Sequence, residues 1–353
     1  MSCMSFYYSL FKLKQELFLK NFGILFQLGK INSPTSVVWD STRRCNLDCI
    51  HCGSQGNYEK ELSLEEIINI LGQLSLFGVK NFQITGGEPL LRADFIEVLA
   101  YANEKGLITS FATNGYYIDE NKAKSISKAN VSLIQISIDG TKDIHNSIRK
   151  NPKSFSKAVN AIKLLKSHSD SKISVATTVM PQNINSLAQL RGILISLDID
   201  LWNIGTVMSV GKAKNNPSLF LSKEQFNRLI NFIIDSKKEI NIEIGENFPY
   251  LGKFDKKIRR TPKMCPIGIL SCCIGVDGHV RGCPDQPDTD LYREGRIQTE
   301  TFEEIWKKGF KRYRNRRIIE EDKKCFICNH RTDCWGGCWV MRENNSQCIL
   351  DYI

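Results

Sequence analysis

From Thr35 to about Asn247 the chain alternates two hydrophobic periods, and this alternation restricts the fold more than any other feature. Six short runs rich in Ile, Val, Phe or Thr read as strands: Ser36–Ser41, Asn81–Thr85, Leu107–Ala112, Ser132–Ile138, Lys172–Val179 and Leu201–Val207. Helical patterns follow at Leu64–Phe77, Asp94–Lys105, Asp119–Lys128, Ser154–His168, Ile184–Leu197 and Ser222–Lys237. In the first of these, Ile67, Ile68, Leu71, Leu74 and Phe77 share one face. Ser63 with Glu66 makes a capping box there, and Gly78 stops the helix. Strands alternating with helices imply right-handed βα units on a parallel sheet. A curved partial barrel and an open doubly wound sheet both satisfy the pattern.

After Asn247 the regular pattern fades. Residues 262–300 are rich in Cys, Gly, Pro and Asp, and a basic helical stretch follows from Thr301 to Lys324. We read three segments: an N-terminal extension at 1–34, the α/β region at 35–250, and a small cysteine-rich α+β region at 251–353. Small regions with little apolar periodicity are often held by metals.

The thirteen cysteines support that division. Three lie at 45–52, nine lie between 265 and 348, and Cys3 stands alone, with none from Gly53 to Met264. Extracellular disulfide proteins of this size usually spread their cysteines. Two tight clusters suit metal ligands in a reducing cytoplasm better. At 42% hydrophobic and 24% charged residues the composition is globular, which excludes a disordered, collagen-like or polytopic membrane chain. Charges interrupt the N-terminal apolar residues before a signal-peptide core is complete, and no run reaches transmembrane length, so the expected location is cytoplasmic without a stable membrane anchor. Phe6–Leu28 reads as an amphipathic helix packed on the protein's own surface, with a membrane or partner contact as the alternative.

The first cluster is Cys45-x3-Cys49-x2-Cys52, directly after the first strand. Three thiolates on one tight loop can hold three corners of a 4Fe–4S cube and leave the fourth iron open to a small molecule. Zinc with His51 as fourth ligand is the alternative. The second strand ends in Thr85-Gly86-Gly87-Glu88-Pro89, where glycines let backbone approach a ligand at strand carboxyl ends.

On these two motifs the chain resembles the radical S-adenosylmethionine (radical SAM) superfamily. The resemblance runs from about Thr35 to Cys348. It implies a partial (βα)6 TIM-like barrel, a 4Fe–4S cluster on Cys45, Cys49 and Cys52, and SAM bound beside it. In the family the Gly-Gly-Glu segment, here Gly86, Gly87 and Glu88, hydrogen-bonds the SAM amino group. Ser137, in Ser137-Ile-Asp139-Gly140, and Arg149 match positions that contact the SAM carboxylate. Asn114, in Thr113-Asn114-Gly115, ends the third strand and faces the same site.

The C-terminal pattern Cys265-x12-Gly278-x4-Cys283, Cys325-x2-Cys328-x5-Cys334-x3-Cys338 and a later Cys348 resembles the SPASM extension, which implies two auxiliary 4Fe–4S clusters. By analogy the first would use Cys265, Cys272, Cys283 and Cys338, and the second Cys325, Cys328, Cys334 and Cys348. Cys273 can take the place of Cys272; without either, the first auxiliary cluster keeps an open iron. Zinc is the alternative for Cys325–Cys338. Cys3 and Cys273 are expected to be unligated thiols.

The resemblance implies reductive cleavage of SAM, hydrogen abstraction by a 5′-deoxyadenosyl radical, and an oxidative crosslink or dehydrogenation of a ribosomally made peptide. A reduced flavodoxin or ferredoxin is the expected donor. Alternatives are a small metabolite or cofactor precursor, peptide epimerisation, and sulfatase maturation. Against the last, Pro284 stands where that branch has a basic Asp, with Asp285, our candidate base, one residue later. A non-catalytic iron–sulfur or zinc protein is the alternative outside enzymes. About 34 residues precede the first strand, too few for a winged-helix leader-binding domain, so a separate leader-binding protein is a possible partner. The formal charge of +10 is concentrated partly in Lys307–Arg317, a solvated helix face or a site for an acidic leader. With no recognised binding module, nucleic acid is not an expected partner.

Overall fold

The computed structural model describes residues 32–54, 60–245, 247–259, 265–314, 322–345, 348–351 and 353. Cys3, the Phe6–Leu28 helix and residues 315–321 of the basic stretch lie outside these.

Seven parallel strands lie side by side in chain order: β1 (Ser36–Asp40), β2 (Asn81–Thr85), β3 (Ile108–Thr113), β4 (Leu133–Ser137), β5 (Lys172–Val179), β6 (Leu201–Thr206) and β7 (Ile242–Ile244). The connecting helices are α1 (Leu64–Leu76), α2 (Phe95–Glu104), α3 (Glu120–Lys128), α4 (Lys142–Arg149), α5 (Ser154–His168), α6 (Leu187–Ser196) and α7 (Lys223–Ser236). The six expected strands and six expected helices all form, each end within a residue or two except at α6. There the first turn, Ile184–Ser186, winds as a 3-10 helix. β7 and α4 are additions.

The sheet does not stop at residue 250. Strand β8 (Ser271–Ile274) pairs parallel with β1, with Cys272 beside Val37 and Cys273 beside Val38. Strands β9 (His279–Arg281) and β10 (Gly295–Arg296) extend it antiparallel. The order β10-β9-β8-β1-β2-β3-β4-β5-β6-β7 is linear, so the sheet is open.

Alternation along the strands separates two faces. Val37, Trp39, Phe82, Ile84, Phe111, Ile134, Ile136, Trp202 and Ile204 are buried beneath the helices in one core. Each such side chain contributes about 1.5–3 kcal/mol on burial. Helix α1 adds Ile67, Ile70, Leu71 and Leu74; Ile70, not Ile68, completes its buried face. Its capping box forms as expected, with the Glu66 N–H donated to Ser63 Oγ and the Ser63 N–H to Glu66 Oε2. The opposite face carries Gln83, Ser110, Gln135, Ser137 and Asn203, all half-buried. Among the described residues no helix is long and apolar enough to cross a membrane.

Candidate functional site

The loop after β1 carries Cys45, Cys49 and Cys52, all free thiols. Three neighbours hold it. At its start, the Gly87 N–H reaches the Thr42 carbonyl (2.6 Å) and the Glu88 N–H reaches that of Arg44 (2.8 Å). In the middle, the Ile50 N–H bonds Ile148 O on α4 (3.0 Å). At the end, Cys52 O accepts from the Lys212 N–H (3.0 Å), beyond β6. Glu61 closes the loop from behind: it takes the Arg44 guanidinium through both oxygens (3.1 and 3.0 Å) and accepts from Thr42 Oγ1 (2.5 Å). Buried Arg92 joins Glu61 (3.5 Å) and Asp94 (2.6 Å) while lying over Trp39.

The glycine pair serves this packing. A Cβ on Gly86 would lie 2.5 Å from Thr42 O, and one on Gly87 2.3 Å from Arg44 O. What approaches these glycines is the cysteine loop's own backbone. Glu88 is fully buried and already engaged: Oε1 accepts from the Leu90 N–H (3.2 Å) and Thr113 Oγ1 (2.7 Å), and Oε2 from the Asn114 N–H (2.8 Å). Burial pushes its carboxyl above the usual carboxylate range against the pull of those donors. Glu88 thus ties the end of β2 to the end of β3. Asn114 then reaches the loop, donating to Asn46 Oδ1 (2.9 Å) with Nδ2 3.9 Å from Cys45 Sγ.

Arg149 ends α4 and points at the same loop, its Nη1 3.7 Å from Cys49 Sγ. Its Nε donates to Asp139 Oδ2 at 2.6 Å. Burial alone would raise the Asp139 carboxyl, but the Arg149 charge prevails and holds it at about 2. The sequence gives Asp139 no role of its own; its signal is an acid at a strand's carboxyl end with an arginine one short helix later. His145 accepts the Asp139 N–H (3.0 Å), and burial lowers its pKa to about 4. His51 is likewise lowered to about 4 by burial and is neutral, with Nδ1 buried and unpartnered. Ser137, half-buried, lies on the polar face at the end of β4.

In the C-terminal region two cysteine sets are distinguishable. Cys283 and Cys338 each feel the charge of Cys265 and Asp285, and Cys283 Sγ lies 3.7 Å from Asp285 Oδ2. Asp285 Oδ1 also faces the first loop, 3.8 Å from where a Gly53 Cβ would lie. Cys272 is set apart: it is buried in the core beside Cys273, Arg314 and Glu294. Cys273 turns to the opposite face of β8, toward Arg281 and Asp40. The second set, Cys325, Cys328, Cys334 and Cys348, lines a cavity of about 140 Å³ that Cys338 also borders. Burial pushes the Cys338 thiol to about 12 and Cys334 to about 11, so thiolates there call for a bound cation or cluster. Among the described residues no three His, Cys, Asp or Glu side chains close on one point as a single ion requires. Ligands of a cube sit at separate corners and do not meet at one point.

The described part of the basic stretch, up to Arg314, makes contacts within the protein. Lys307 pairs with Glu303 and Lys308 with Glu300, and Arg314 lies over Trp306 while donating to Gly268 O.

The radical SAM superfamily matches residues 39–192, from Trp39 in β1 into α6, and so spans the three-cysteine loop, Gly86–Glu88, Asp139 and Arg149. Residues 39–192 thus carry a radical SAM domain. The protein is a radical SAM enzyme, and the domain implies a 4Fe–4S cluster and SAM. It is similar to the AdoMet-dependent heme synthase of Oleidesulfovibrio alaskensis, 27% identical over 322 residues (86% of this chain, 81% of that protein). It is similar also to mycofactocin maturase MftC of Mycolicibacterium smegmatis, 28% identical over 319 residues (88% and 80%). Streptococcus suis SuiB, solved with its precursor peptide SuiA, shares the fold: TM-score 0.72, 17% identity, 91% of this chain and 75% of that one. The radical SAM fold thus resolves the ambiguity of the βα pattern in favour of the TIM-like partial barrel.

Proposed function

We propose that this radical SAM enzyme performs an oxidative modification, a crosslink or dehydrogenation, on a ribosomally made peptide in the cytoplasm. The observation that carries the reading is the three-cysteine loop seated on Gly86–Glu88, with the Asp285 end of a second cysteine set facing it across Gly53. Similarity to a maturase, and a shared fold with a protein solved on its precursor peptide, support a peptide substrate.

In this reading Cys45, Cys49 and Cys52 hold the cluster, and SAM binds beside it against the ends of β2, β3 and β4. A cluster and SAM held by these residues would supply radical chemistry able to act on an unactivated C–H bond. The protein's share is to place the reacting carbon and exclude water. Glu88, spent on internal donors, orients Asn114 and the end of β3. The Ser137 hydroxyl on the polar face is the side chain we assign to the SAM carboxylate. Cys325, Cys328, Cys334 and Cys348 hold one auxiliary cluster. Cys265, Cys283 and Cys338 hold three corners of another. A flavodoxin or ferredoxin donates the electron, and a separate protein presents the leader.

A second reading, a tetrapyrrole or other small precursor as substrate, is favoured by similarity of equal reach to a heme synthase. Intact mass of a candidate peptide after anaerobic co-expression decides between them. Loss of paired hydrogens, absent with Cys45→Ala/Cys49→Ala/Cys52→Ala, supports the peptide reading. An unchanged mass with no deuterium uptake from solvent overturns it.

A further inference from the structure

We propose that Arg149, clamped by Asp139, sets the reduction potential of the cluster held by Cys45, Cys49 and Cys52. The proposal rests on reading those cysteines as its ligands and adds a role that SAM binding does not require.

The geometry leaves the guanidinium little freedom. Arg149 Nε is fixed on Asp139 Oδ2 at 2.6 Å, and Nη1 is directed at Cys49 Sγ at 3.7 Å. Asp139 is fixed in turn: Oδ1 accepts the Thr178 N–H (3.0 Å), its carbonyl accepts from Asn183 Nδ2 (2.7 Å), and its own N–H is taken by His145. The side chains are 12% and 0% exposed. An ion pair buried this deeply adds little net stability, because desolvation offsets the attraction. Among the described residues the further hydrogen-bond partner of Arg149 is the thiol of Cys49.

Hydrogen bonds and charge at the ligating sulfurs are among the factors that set a cluster's potential. An N–H from a cation to Cys49 Sγ stabilises the cluster after it gains an electron and so raises the potential. Asp139 opposes that field. The pair therefore delivers a directed N–H at nearly zero net charge, which suits a cluster that must stay strongly reducing.

The two partners are thus expected to shift the potential in opposite directions. Asp139→Asn unmasks the cation, and Arg149→Gln leaves the carboxylate alone. The measurement is an EPR-monitored redox titration of reconstituted, SAM-free protein, following the signal that the triple Cys→Ala variant lacks. The midpoint should move positive in Asp139→Asn, negative in Arg149→Gln, and back toward wild type in the double variant, whose net charge is balanced. Arg149→Lys, keeping the charge, should move it less than Arg149→Gln. If Arg149 serves only the SAM carboxylate, the SAM-free midpoint stays put in every variant and only SAM affinity falls; that overturns the inference. Shifts of the same sign in both single variants overturn it too, as mere disturbance. If no signal depends on Cys45, Cys49 and Cys52, the failure belongs to the cluster reading itself.

Discussion

Gly87→Ala tests how the cysteine loop is seated. The added Cβ lies 2.3 Å from Arg44 O and 2.9 Å from Arg43 O, where ordinary contact is 3.4–4 Å. Both neighbours are backbone, so no side chain can swing aside. The loop must retreat by about 1 Å, which breaks the Gly87–Thr42 and Glu88–Arg44 hydrogen bonds. Overpacking costs about 1–3 kcal/mol, and two lost hydrogen bonds about 1 kcal/mol each, so the variant should lose about 3–5 kcal/mol. Gly72→Ala is the internal control. It lies within α1 with nothing inside 4 Å of its Cβ, and alanine there should stabilise by about 0.5–1 kcal/mol. Urea unfolding midpoints read both energies, and iron per chain after anaerobic reconstitution reads loop geometry. Gly87→Ala should fall in both, and Gly72→Ala in neither. Wild-type stability and iron in Gly87→Ala would refute the seating argument.

Three further outcomes are expected. His145 binds a proton at about 4 in the fold against 6.5 when unfolded, so its contribution to stability, about 3 kcal/mol, is lost as pH falls from 6.5 to 4; His51 adds a slope of the same sign in that window, so urea midpoints should show His145→Asn reducing the slope by roughly half. Cys334→Ala should remove roughly four irons per chain, whereas Cys273→Ala, on the far face of β8, should remove none; iron analysis decides. Glu61→Gln weakens the clasp on Arg44 and Thr42, so a chelator should bleach the cluster absorbance several-fold faster than in wild type.

The barrel strands and helices were legible because their periods are long enough to register. Helix α4 was not: between Thr141 and Arg149 only Ile144 and Ile148 are apolar, a single i, i+4 pair. β7 was missed because Ile242-Glu-Ile is too short to show alternation. The composition of Ser271–Ile274 suggested a metal-binding loop, since nothing local reveals a strand partner 235 residues upstream. Motif spacing placed Gly86–Glu88 correctly at the strand end, but it could not show that the glycines accommodate the cysteine loop or that Glu88 is spent on β3. Arg149 came from resemblance alone. Its partner Asp139 is ten residues away, and only the fold shows them buried together.

The pairing of β8 with β1 also orders events during synthesis. β1 leaves the ribosome 235 residues before β8, so the edge at Val37–Trp39 has no β8 to pair with until β2–β7 have been made. Late closure of distant strands slows folding and exposes an edge to aggregation. The cysteine loop that follows β1 waits as long for its Asp285-bearing neighbour. A nascent chain stalled before residue 271 presents the first three thiols without Asp285 beside Gly53.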